Sequence, residues 1–79
     1  MNAMDLRNAF DPISGMVHDN FTVLLLRLIA KGDSVNQDKL RQGFPVEVKA
    51  VEIYKTDCPY TESRDVDWKK LAELAYWHR

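Results

Sequence analysis

A lone cysteine, Cys58, in a chain of 79 residues means that no internal disulfide can hold the fold together. A chain of this size buries only about 60% of the surface its unfolded form exposes, so small domains lean on disulfides, metals or a partner subunit. A metal is not expected either. The two histidines, His18 and His78, stand far apart, and neither has Cys, Asp or Glu at ligand spacing. No cofactor is expected. Stability must then come from closely packed elements or from a second copy of the chain. An unpaired cysteine also suits a reducing compartment, and cytoplasmic residence is the expectation.

Charge narrows the function classes. Lys and Arg number 11 against 12 Asp and Glu, for a formal net charge of -1. Split at Gly43, the first part is neutral and the second carries the deficit. Nucleic acid is therefore not an expected partner, because neither part has the basic excess that phosphate binding uses. Hydrophobic residues make up 46% of the chain, which excludes wholesale disorder. The residues Met1 to Arg7 lack a basic start followed by a long apolar core. The most apolar run, Val23 to Ala30, is broken by Arg27 and is far shorter than the ~20 residues a membrane span requires. No membrane association is expected.

Capping signals predict one all-α domain over 1–79, of about four helices, with dimerisation as a means of completing it. Asp11 and Pro12 suit the cap and first position of a helix over 12–31, with Ser14 as the alternative start and Gly32 as a left-handed stop. Ser34 and Gln37 match a capping box for a helix over 34–42, closed by Gly43. Pro45 then opens a segment over 45–55. Its β-branched residues Val46, Val48, Val51 and Ile53 favour a strand, but no second strand candidate exists to pair with it, so the reading is helix. A loop over 56–64 precedes a last helix over 66–78, capped by Ser63 or Asp65.

At about 100° per residue, the first of these helices is apolar on two sides. Val17, Phe21, Leu24, Leu25 and Leu28 share one stripe; Met16, Val23, Leu26 and Ala30 form a second, roughly opposite. Two arrangements satisfy this. Either the helix is central and covered by the others, or one stripe makes the core while the other meets a second copy. The small apolar content of the remaining helices, such as Val35 and Leu40 in the second, favours the homodimer. Met16, Val23, Leu26 and Ala30 are its expected contact residues. Tyr76 and Trp77, at the end of the last helix, are the other candidates for contact. Trp77 falls on a polar side, where it either anchors a partner or folds back onto the core or the Pro59–Tyr60 loop.

Catalysis is not expected. Cys58 has no histidine near it in sequence, and Glu47, Lys49, Glu52 and Lys55 read as a solvated helix surface. The glycines, Gly15, Gly32 and Gly43, are isolated and make no phosphate loop. Ser34 to Lys55 has the outline of a helix-turn-helix, which makes a small DNA-binding regulator the alternative function. Its second helix, however, opens with Glu47 and later adds Glu52, which repel phosphate.

Leu28 to Asp33, with Lys39–Leu40, Gly43–Phe44–Pro45, Glu47–Val48 and Ala50, resembles small uncharacterised proteins of tailed bacteriophages and prophages. The similarity covers about the middle third of the chain. It implies a small accessory protein that acts through protein contacts on a host factor, and it transfers no functional residue. The reading is a non-catalytic helical protein-interaction module.

Overall fold

The computed structural model describes residues 1–11 and 20–77. These residues form five α-helices: α1 (Ala3–Phe10), α2 (Phe21–Lys31), α3 (Ser34–Gly43), α4 (Pro45–Thr56) and α5 (Trp68–Trp77). No strand occurs among the described residues, and a single antiparallel bridge joins Tyr60 to Val66 in the α4–α5 loop. The all-α expectation holds, with one helix more than the capping signals supplied.

That extra helix is α1. Asn2 caps it: its Oδ1 accepts from the Asp5 amide at 2.9 Å, while the Asn2 amide donates to Asp5 Oδ2 at 3.3 Å. The pair satisfies two amides that a helix start leaves open. Asp11 ends α1 in an extended conformation, φ -82° and ψ 117°. The proline ring that follows crowds the helical conformation of the residue before it, so Asp11–Pro12 is a helix stop. The expected start at Pro12 lies outside the described residues, and the correction falls at Asn20, whose extended backbone, φ -74° and ψ 171°, interrupts the expected helix. Of the expected helix over 12–31, residues 12–19 lie outside the described residues, and the rest is α2, capped by Asn20 Oδ1 on the Val23 amide at 2.9 Å.

Three further corrections concern caps. Gly32 has φ -72° and ψ 148°, extended backbone rather than the left-handed stop. Asp33, not Ser34, caps α3 through the Asn36 amide at 2.8 Å. Gln37 instead reaches back, donating from Nε2 to the carbonyls of Ile29 at 3.1 Å and Gly32 at 3.2 Å. It thereby satisfies the open C-terminal end of α2. At α5 the cap is Asp67, whose Oδ1 accepts from the Lys70 amide at 3.0 Å, so neither Ser63 nor Asp65 serves.

The segment after Pro45 is helical, as read, and its strand-like pattern has a packing cause. Helix α4 lies against α2, α3 and α5 and buries Val46, Val48, Ala50 and Val51, a wide arc of its circumference. A central helix buries neighbours on two sides, and over a few residues this imitates alternation. Leu6 of α1, Leu26 and Ile29 of α2, and Leu71 and Ala75 of α5 complete the core without exposed surface. Arg27 ties α1 to α2, donating to the Asn8 carbonyl at 3.0 Å and the Ala9 carbonyl at 3.4 Å. A cation over the last carbonyls of a helix also meets its negative dipole end. The radius of gyration is 11.8 Å, against about 11.6 Å for a compact chain of this length. No helix among the described residues is long and apolar enough to cross a membrane.

Candidate interaction surface

Helix α2 turns one apolar stripe inward and splits the other, since Leu25, grouped by spacing with Phe21, Leu24 and Leu28, is buried. Val23, Leu26 and Ile29 have no exposed surface. Phe21, Leu24 and Leu28, spaced by three and four residues, are 70%, 51% and 58% exposed. They form one outer row, because that spacing returns to the same helix face. Phe21 leans toward Phe44, with ring centroids 6.2 Å apart and planes tilted by 53°. On α3, Val35 is also exposed.

Where α2 meets α3 the row opens into a groove of about 500 Å³, lined by Leu28, Lys31, Gly32, Asn36, Lys39 and Leu40. Leu28 and Leu40 supply its apolar walls, and Lys31 and Lys39 are both exposed. Neither lysine makes an ion pair or a side-chain hydrogen bond among the described residues. Several other cations are engaged, although Arg64, Lys69 and Lys70 likewise pair with no acid among the described residues. Arg41 pairs with Asp38 and Glu52, Lys49 with Glu52 at 3.6 Å, and Lys55 Nζ donates to the Ala30 carbonyl at 2.6 Å. Hydrogen bonds and charge from Glu52 and Asp38 hold the Arg41 guanidinium above its ordinary pKa.

The residues expected to join two copies lie elsewhere. Val23 and Leu26 are inside the core, Ala30 is half-buried beside it, and Met16 lies outside the described residues. The stripe expected at a dimer contact is thus, in its described part, turned toward the rest of the chain. Tyr76 and Trp77 separate as well. The Tyr76 hydroxyl donates to the Met1 carbonyl at 3.0 Å and receives a hydrogen bond from the Met1 amino group at 3.4 Å. Trp77 is 84% exposed and does not fold back onto the core or the loop. The outer residues Phe21, Leu24 and Leu28 were legible as a stripe, but nothing in their spacing said that this stripe faces outward.

A second concavity, of about 540 Å³, is lined by Arg7, Phe10, Asp11, Tyr54, Asp65, Val66 and Trp68. Its aromatic rings stack on one another: Phe10 and Tyr54 have centroids 4.5 Å apart, and Tyr54 and Trp68 5.9 Å. Near-parallel stacking joins α1, α4 and α5 and turns the ring faces toward each other rather than toward the space. Burial, reinforced by the negative forms of Cys58, Tyr60 and Asp11, raises the Tyr54 pKa. Burial likewise raises the Cys58 thiol, against an opposing hydrogen bond involving Tyr60. A thiol so shifted stays protonated at neutral pH, the reverse of an activated nucleophile. No group of three or more His, Cys, Asp or Glu that could hold a metal ion occurs among the described residues. No family model, curated protein or solved structure matches the chain.

Proposed function

We propose that this chain is a non-catalytic protein-interaction module that binds through the outer face of α2 and the adjoining groove against α3. The row of Phe21, Leu24 and Leu28 carries the reading. These residues lie on a helix whose other face is fully buried, and large apolar side chains grouped at the surface mark contact sites. The resemblance of the middle third to phage and prophage accessory proteins agrees with a role exercised through protein contact on a host factor. Self-association through Val23 and Leu26 is not part of the proposal, since both belong to the monomer's core.

The helix-turn-helix alternative draws less support. Helix α4, which would be the recognition helix, packs against three neighbours. Its basic side chains Lys49 and Lys55 are engaged within the chain, by Glu52 and by the Ala30 carbonyl. Such a helix offers DNA few free donors.

The test is a comparative pull-down from the native host with the full chain. Proteins retained by the wild type and by a Lys69→Glu surface control should be lost from Leu24→Glu, with helicity unchanged by circular dichroism. Identical retention by all three would overturn the proposal. Tight DNA binding at low salt that fell steeply as salt rose would establish the regulator instead.

A further inference from the structure

We infer that the α2–α3 groove accepts a helix of another protein that carries acidic residues beside apolar anchors. This rests on the interaction reading above and names the chemistry of its partner. The apolar walls of the groove are Leu28 and Leu40, and the outer row Phe21, Leu24 and Leu28 runs along the helix axis to it. At about 1.5 Å per residue that row is about 10 Å long, matching two turns of a helix that inserts side chains at i, i+4 and i+7. An extended peptide finds no equivalent purchase, because the described residues hold no sheet to which it could add a strand.

Charge selects among helices. Lys31 and Lys39 stand at the groove without an acidic partner among the described residues. Between Phe21 and Lys31 the helix itself carries no acidic residue. Nearby Asp38 is paired with Arg41, and Asp33, the α3 cap, sets one carboxylate against the two lysines. The site is therefore apolar and locally positive on a chain whose net charge is -1. A second copy related by a two-fold axis would bring the same cations to the same surface, whereas an acidic helix neutralises them. The concave apolar part also favours a protruding side chain over the flat face of a membrane.

The experiment titrates two synthetic helical peptides into the isotopically labelled full chain, followed by amide chemical shifts. Both carry leucines at i, i+4 and i+7; one flanks them with glutamates, the other with lysines. The glutamate peptide should shift the amides of Leu28, Lys31, Asn36 and Lys39 and bind about tenfold more tightly than the lysine peptide at low salt. The double variant Lys31→Glu/Lys39→Glu, altered only at exposed positions, should reverse that preference while keeping its helicity. Lys31→Ala/Lys39→Ala should abolish the preference without reversing it.

Equal affinity for both peptides, with shifts still at the groove, would overturn the acidic assignment and leave the interaction face standing. Binding by neither peptide would also overturn the assignment, while the pull-down decides the interaction reading separately. A concentration-dependent doubling of the 9.2 kDa mass that Leu24→Glu abolishes would give the face to a second copy. Binding to phosphatidylglycerol vesicles, lost in the same variant, would give it to a membrane. Each of those two results overturns the inference.

Discussion

Leu24 and Leu26 stand two positions apart on α2 and make opposite predictions for the same substitution. Leu26 has no exposed surface, whereas Leu24 is 51% exposed. Truncation of leucine to alanine removes three carbon groups, worth about 0.8 kcal/mol each on transfer from water, or about 2.4 kcal/mol for a buried side chain. The cavity left at a closely packed site adds to this, and Leu26→Ala should cost about 3–4 kcal/mol. A domain of this length has only about 4–12 kcal/mol in total, so the variant should lose a large share of its stability. At about 4–8 °C per kcal/mol, its Tm should fall by about 12–30 °C. Leu24→Ala forfeits about half of the transfer term and leaves no enclosed cavity, so its loss should be about 1 kcal/mol. Urea denaturation followed by circular dichroism measures both. Equal losses would mean that α2 is rolled about its axis relative to this description, and the core and the outer row would fall together.

Trp77→Ala should change stability by no more than about 0.5 kcal/mol, because the side chain is almost wholly exposed; a loss of 3 kcal/mol or more, the scale of a buried tryptophan, would place it in the core. Arg64 has φ 67°, the left-handed region that costs a side-chain-bearing residue free energy and glycine none, so Arg64→Gly should raise stability by about 0.5–1 kcal/mol in the same assay. Arg27→Met keeps the aliphatic stem but removes the donors to the Asn8 and Ala9 carbonyls, and a loss of about 1–3 kcal/mol is expected, with faster hydrogen exchange in α1. Tyr54 and Cys58 both hold their protons more tightly folded than unfolded. The stability they contribute is complete below the unfolded pKa values and is lost as pH rises through the folded ones, so unfolding free energy should decline above about pH 9. Tyr54→Phe and Cys58→Ser should each flatten that decline.

Local chemistry made much of this fold legible in the residues. Pro45 can open a helix but cannot donate within one, and α4 begins there. The absence of a partner strand settled the β-branched run after it as helix. Helix α1 was legible in principle, since Asn2 and Asp5 stand at capping-box spacing. Asp11–Pro12 concealed it, because that dipeptide suits the start of one helix as well as the end of another.

The facing of α2 was a tertiary decision. Phe21–Leu24–Leu25–Leu28 and Val23–Leu26–Ala30 are both apolar stripes with helical spacing, and periodicity gives the angle between them without saying that Leu25 goes inside while its stripe-mates stay outside. Docking of α1 and α4 against α2 buries Val23, Leu26 and Ile29, and the row left over becomes the outer face. The groove arises the same way. Leu28 and Leu40, twelve positions apart, become two walls of one concavity because Gly32 and Asp33 turn the chain between α2 and α3. Lys31 and Lys39 join them for the same reason. Their residue types are local properties of the chain, but their meeting depends on the angle between two helices. That angle is set by burial against α4, a long-range term that capping and spacing do not contain.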